Sequence, residues 1–299
     1  MYKQNQNSPI PRILKRYGVA AFLALLPVAF ASAALGQNTP SQSIDAVALV
    51  RRAVQHRLDS AKTHPPVQYF IRRIDERRDS TKAVIETRDG DVARLIAING
   101  KPLSPEVDKA ELDRLGNLAS HPELEEHRRK SEQKDTERTL HLLSMLPDAF
   151  QYRFEGMVPC DSGICYRLSF SPNLSFTPPD LEANIFRGVA GELWVDQAQE
   201  RLTRLDAHFI ADVDFGFGIL GRLNKGGTVL MEQSNVGGND WELTSLTIHV
   251  TGKALMVRSF RFQVTEQTNH YSTVAPGLHY RDAIDLLKKM DLSAVPDSH

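Results

Sequence analysis

The chain has 299 residues, with 36 basic and 37 acidic side chains and a formal charge of −1. Its Arg-rich segments (Arg51-Arg52, Arg72-Arg73, Arg77-Arg78, Arg128-Arg129) are interleaved with Asp and Glu, so they read as solvated faces. Without a basic stripe to neutralise phosphates, the chain is a poor candidate for nucleic-acid binding.

Lys3, Arg12, Lys15 and Arg16 form a positive region free of acidic residues, followed by the apolar stretch Gly18–Leu35. Ala31-Ser32-Ala33 and Ala34-Leu35-Gly36 are candidate cleavage sites of the small-x-small type. The competing reading is an uncleaved membrane anchor, because about 18 apolar residues suffice for a span. Pro27 and the small residues at the end favour cleavage. Residues 1–36 are therefore expected to be a signal peptide, with the mature protein periplasmic or secreted and carrying no membrane span. Losing those four of 36 basic residues leaves 32 against 37 acidic ones, a balance of about −5.

Residues 37–299 read as one domain. Gln37–Ser43 is a polar linker, and Ile44–Leu58 carries a helical stripe (Ile44, Val47, Ala48, Ala53, Val54, Leu58) ended by His64-Pro65-Pro66. Strands follow at Val67–Ile71, Thr81–Arg88 and Val92–Ile98, with Asp89-Gly90-Asp91 as a turn. Ser104-Pro105 opens a charged helical excursion over residues 104–146, with Ser104 as N-cap. Between Glu123 and Thr139 only Leu124 is aliphatic, which predicts a solvent-exposed helix or a flexible excursion.

From Phe150 the pattern changes to alternation: Phe150, Tyr152, Phe154 against Gln151, Arg153, Glu155, then Ile164, Tyr166, Leu168, Phe170. Cys160 and Cys165 bracket Asp161-Ser162-Gly163, a turn sequence, so they face each other across a hairpin mouth; in an exported chain they should form a disulfide. Val189–Asp196 is a strand, and Leu205, Ala207, Phe209, Ala211, Val213 and Phe215 form a continuous odd-numbered apolar face. Later strands carry Leu246, Ile248 and Val250, then Met256, Phe260, Phe262 and Val264, before a final helix Tyr280–Met290. Long antiparallel strands curl. The expected class is α+β: a large curved antiparallel sheet, an incomplete β-barrel, with helices covering its concave side.

Catalytic motifs fail on context. Gly216-Phe217-Gly218-Ile219-Leu220-Gly221 fits the dinucleotide spacing, yet a strand, not a helix, follows it, so a hairpin connection is expected and no cofactor. The row Asp206, His208, Asp212, Asp214 reads as a solvent-facing strand face continued by Arg204, so no metal is expected either. No serine sits in a nucleophile elbow. Trp194 and Trp241 are candidate core or cavity-lining residues. The expectation is a protein that is not an enzyme.

Gly191-Glu192-Leu193-Trp194-Val195-Asp196 followed by Arg201-Leu202-Thr203-Arg204-Leu205 resembles a hairpin of exported lipoprotein-sorting (Lol) carrier-like proteins. Arg94–Leu103, Leu146–Phe150, Gly188–Asp196 and Asp212–Gly216 extend the likeness to uncharacterised secreted bacterial proteins of that type. The resemblance implies a half-barrel with a helical lid, holding a lipid, an acyl chain or a lipidated partner in an apolar hollow. The strand face that would line it is Phe154, Leu168, Phe170, Phe209, Val213, Phe215, Leu246, Ile248, Phe260 and Phe262. The alternative is an envelope structural or protein-interaction module in which the same face is a filled core.

Overall fold

A computed structural model describes residues 44–216, 220–237, 240–255 and 258–291. The expected signal peptide (1–36), the linker 37–43, Met256 and the middle of the glycine-rich turn (217–219) lie outside the described residues.

Among the described residues thirteen strands form one sheet: eleven follow the order β4-β3-β2-β1-β13-β12-β11-β8-β7-β6-β5, whose two ends do not meet, and the pair β9–β10 joins it where β10 pairs with β12, every pairing being antiparallel. Helix α1 (Ala46–Thr63) precedes β1 (Val67–Asp75), β2 (Arg78–Ile85), β3 (Val92–Ile98) and the short β4 (Lys101–Pro102). Helices α2 (Pro105–Ser120) and α3 (Pro122–Ala149) then lead to β5 (Phe150–Cys160), β6 (Gly163–Pro172), a 3-10 turn (Glu182–Gly188), β7 (Val189–Asp196) and β8 (Leu202–Phe209). After β9 (Val213–Phe215) and β10 (Gly221–Leu223) come β11 (Thr228–Gly237), β12 (Asp240–Ala254), β13 (Arg258–Thr273) and α4 (Tyr280–Lys289).

The sheet order explains the long charged excursion. The chain begins in mid-sheet, moves outward to the β4 edge, and must reappear at the opposite edge as β5. Ten strand spacings of about 4.8 Å separate those edges, roughly 48 Å if flat. The 28-residue α3 spans about 42 Å at 1.5 Å per residue. Its length is therefore set by the width of the sheet it crosses. It also runs past Leu146 through Pro147 to Ala149 and feeds β5 directly.

Local chemistry fixes the element ends. Ser104 Oγ accepts from Val107 N–H (3.4 Å) as N-cap, with Pro105 at the first helical position. Helix α1 stops at His64, whose ψ of 124° is extended ahead of Pro65. Asn99 and Gly100 both have positive φ, the geometry of the tight hairpin turn between β3 and β4. The apolar face expected to continue from Leu205 to Phe215 breaks at Phe209. Asp212 Oδ1 accepts from Lys225 N–H (2.7 Å), and Arg222 pairs with Asp214 (2.6 Å), turning the chain into the β9–β10 hairpin, which pairs with β12 through β10. Gly156 (φ 121°) places a bulge in β5 after Phe154.

The main core lies on one face of the sheet. Leu49, Val50, Ala53 and Val54 of α1, with Leu142 and Ala149 of α3, pack against β5–β8 and β11–β13. At about 1.5–3 kcal/mol for each large apolar side chain, this is the chief source of stability. A second cluster lies on the opposite face, where Ala283, Ile284 and Leu287 of α4 meet Ala83, Ile85, Val92, Ile96 and Leu115. Buried Arg94 binds that helix in place: it donates to the Leu287 carbonyl (2.6 Å) at the C-terminal end of α4 and to Asp108 of α2 (2.7 Å).

Gly191 shows how closely β7 and β8 approach. A Cβ there would overlap the Asp206 carbonyl oxygen, a backbone atom held in the ladder. Gly191→Val should therefore lower stability by about 1–3 kcal/mol. A fall in the urea midpoint at unchanged slope is the expected result; an unchanged midpoint would show that the strands can separate without cost.

Candidate functional site

Directly paired residues of antiparallel strands share a face. On the face covered by α1, the apolar rows of β8, β11 and β12 give way at β13 to charge: Leu205, Met231 and Leu246 are followed across the sheet by Glu266, Arg73 and Ser80. The next row is Thr268, Ile71, Lys82 and Leu95, and beyond it lie Tyr69, Val84 and Ala93. Over these rows, between β1–β3, β12, β13 and helices α1–α3, lies a cavity of about 490 Å3.

The helical walls are held by the sheet's own edge. β4 covers only the last residues of β3, leaving backbone groups of the earlier ones to be satisfied otherwise. Glu111 Oε1 accepts from Leu95 N–H (2.7 Å), Arg114 donates to the Ala93 carbonyl (2.6 Å), and Glu132 Oε2 accepts from Asp91 N–H (3.1 Å). Arg128 donates to the Asp91 carbonyl and pairs with Glu125 and with Glu132 (2.7 Å). The middle of α3, expected to be free in solvent or flexible, is instead clamped to the β3 edge, with Glu125 buried. Charged residues do this because a bare strand edge needs donors and acceptors, not grease.

Charge is distributed unevenly round the cavity. Arg73 pairs with Glu266, and Arg114 with Glu111 (2.7 Å). The Lys82 ammonium, by contrast, makes no hydrogen bond or ion pair with a described residue. Burial, with Arg78, Arg114 and Arg73 nearby, pushes its ammonium below the ordinary lysine range. At the other end, His64 lies between two carboxylates, with Nε2 3.2 Å from Glu86 and Nδ1 3.4 Å from Glu242. The hydrogen bond to Glu86 raises the His64 pKa against the opposing effect of burial, and Glu242 and Asp240 add to the rise. Burial pushes the Glu242 carboxyl up. Tyr69 and Tyr271 stack at 5.1 Å along the same wall.

Of the ten residues expected to line a hollow, only Leu246 borders this cavity. Leu168, Phe170, Phe209, Val213, Ile248 and Phe262 are buried in the main core under α1, and Phe154, Phe215 and Phe260 pack against its margin. Neither tryptophan borders the cavity: Trp194 lies beneath Arg204 (5.3 Å), and buried Trp241 donates to Gln199 (2.7 Å). The row Asp206, His208, Asp212, Asp214 is divided, since Asp206 pairs with Arg204 (3.2 Å) while Asp212 and Asp214 pair with Arg222. Burial lowers the pKa of His208 to about 4. The hairpin cysteines form the expected disulfide, Cα–Cα 5.9 Å. Asp196 lies close to both sulfurs, but a disulfide offers no thiolate to a metal. Gly216 and Gly221 flank the hairpin connection between β9 and β10, as expected. No described helix is long and apolar enough to cross a membrane.

No family model and no curated protein matches the chain. Among solved structures it is similar to a DUF1329 family protein from Desulfovibrio piger, at 13% identity and TM-score 0.26, covering 77% of this chain and 94% of the other. A LolA superfamily protein from Nitrosomonas europaea matches at 9% identity and TM-score 0.26, covering 75% and 94%. A domain from Vibrio parahaemolyticus, named for outer membrane lipoprotein sorting, matches at 10% and TM-score 0.29, covering 80% and 100%. Scores this low leave the fold to stand on the chain's own strand pairing.

The His64 cluster has a pH signature. A histidine whose folded pKa is raised contributes its full stabilisation below the unfolded value of about 6.5 and loses it as pH rises through the folded value. The gap in thermal midpoint between wild type and His64→Gln should thus be wider at about pH 5.5 than at about pH 8.5. Equal gaps at both would mean that no imidazolium forms between Glu86 and Glu242.

Proposed function

We propose that this protein is an exported, non-catalytic carrier that holds an amphiphile, whether a lipid, an acyl chain or the lipid of a modified partner, between its sheet and helices. The observation that supports it best is the cavity of about 490 Å3 whose floor passes from the apolar row Tyr69, Val84, Ala93 to the cationic residues Lys82 and Arg73. That volume is in the usual range for small-molecule sites, about 300–1,000 Å3. Burial of apolar ligand surface at about 25 cal/mol per Å2 would supply most of the affinity. Leu246 joins the cavity to the core that contains the other nine residues of the expected hollow. A chain too long for the cavity would continue past Leu246 by displacing α1. A periplasmic or secreted location belongs to the same reading and rests on the basic and apolar segments before residue 36.

A second reading, an envelope structural or protein-interaction module, is favoured by one specific observation: α1 fills the space over β5–β8 and β11–β13 with its own side chains. Native mass spectrometry of protein purified from its host's envelope separates the two. Carrier function predicts a co-purifying amphiphile of one or a few masses, and displacement of a fluorescent fatty-acid probe by the extracted material. Bare protein that binds no such probe would leave only the interaction module.

A further inference from the structure

The carrier reading leaves open which kind of head group the cavity accepts, and one side chain on its floor bears on that. Lys82 stands mid-strand on β2, with Ile71 of β1 directly across one ladder and Leu95 of β3 across the other. Apolar side chains thus lie on both sides of an ammonium. On one side the next row is apolar (Tyr69, Val84, Ala93), and on the other it holds Arg73 and Ser80. Lys82 therefore marks the border between an apolar floor and a charged one.

Glu111 attracts the ammonium, but Arg78, Arg114 and Arg73 oppose that attraction. Arg73 is engaged by Glu266 and Asp75, and Arg114 is bonded to Glu111 and the Ala93 carbonyl. Glu86, the carboxylate just beyond the end of β2, is engaged by His64 (3.2 Å) and lies about 13 Å along the chain from Lys82 at about 3.3 Å per residue. Exposed Arg78 makes no side-chain ion pair with a described residue and adds a second positive charge beside Lys82. A partly buried, unpaired ammonium with three arginines against one attracting carboxylate, Glu111, is costly to hold, and an incoming anion lessens that cost. A binding site can sustain the arrangement if its ligand supplies the missing partner.

Resting on the carrier reading, we infer that Lys82 is the head-group residue of the cavity, receiving the carboxylate of a single-chain acyl ligand whose tail lies over Ile71, Tyr69, Leu243 and Leu246. Arg78 adds long-range attraction from the mouth. A carboxylate fits better than a neutral head because only an anion accepts from the ammonium without leaving its charge unbalanced. It also fits better than a bare small anion, because Ile71, Leu95, Tyr69 and Val84 beside the ammonium offer apolar surface that acetate cannot cover.

The test compares dodecanoate, dodecanol and acetate as ligands for delipidated full-length mature protein, by titration calorimetry, with wild type, Lys82→Met and Lys82→Arg. A charge-assisted hydrogen bond should make wild type prefer dodecanoate over dodecanol by about tenfold or more, with acetate undetected. Lys82→Met should erase that preference by weakening dodecanoate alone, and Lys82→Arg should retain most of it. Equal binding of acid and alcohol by wild type, or an unchanged preference in Lys82→Met, would overturn the head-group assignment while leaving a carrier in place. Failure of both twelve-carbon compounds to bind, with no amphiphile co-purifying, would remove the carrier reading and this assignment together. Lys82→Met replaces an unpartnered charge by an apolar chain of similar length, so it should fold, and an unchanged circular dichroism spectrum with a urea midpoint no lower than that of wild type would verify that.

Discussion

The pairing of β1 with β13 is the constraint on which the rest of this molecule depends. It joins the first strand to the last, from Val67 opposite Thr273 to Asp75 opposite Val264, across most of the length of the chain. Without it the β1–β4 meander and the β5–β13 run are two separate sheets with exposed edges. The pairing also sets the register that brings Glu266 opposite Arg73, and this is where the inner face turns from apolar to charged. On one side of that line the sheet is sealed by α1; on the other it is left with a cavity. A single ladder thus determines both the size of the sheet and the place where it is hollow.

The same pairing accounts for the length of the crossover. Because the chain enters mid-sheet and builds outward first, it must return over the full width of the sheet to start β5. A helix of that length cannot be buried all along one side, and α3 is accordingly charged. Where it meets the β3 edge, Arg128, Glu125 and Glu132 replace the strand that a longer β4 would have provided. Glu111 and Arg114 of α2 do the same one pair further along. Polar side chains that read as solvated faces in the sequence are therefore part of the hydrogen-bonding of the sheet.

Much of the fold was legible because it is local. The alternation of Leu205, Ala207 and Phe209, the Cys160–Cys165 turn, the Ser104 cap and the stripe of α4 each express a short-range period or a turn preference. The end of β8 at Phe209 was not legible, since it depends on Asp212 accepting a hydrogen bond from Lys225, a contact between separate turns. The cavity was less legible still. Apolar strand residues announce a buried face, but whether that face is left open or filled depends on where α1 lands. Nothing in the alternation of Leu168 and Phe170 encodes the arrival of a helix from the other end of the chain. The cavity lies instead over Tyr69, Ile71, Lys82, Val84 and Glu86, a face whose mixed charge reads as surface. One signal was present: Thr81-Lys82-Ala83-Val84-Ile85 places a lysine inside an otherwise apolar strand core.

The packed core and the cavity thereby fall in different parts of one sheet. The half under α1 is packed with side chains of α1 and α3 and gains its free energy by excluding water. The half over β1–β3 keeps ionised groups at partial burial, which packing alone would not select, because hydrophobic replacement of buried charge is often neutral or stabilising. The Glu266–Arg73 and Glu111–Arg114 pairs each have a structural duty, at the β1–β13 junction and the β3 edge. Lys82 has none within the fold. A group that folding does not need, held where folding disfavours it, is where a ligand's contribution is to be sought.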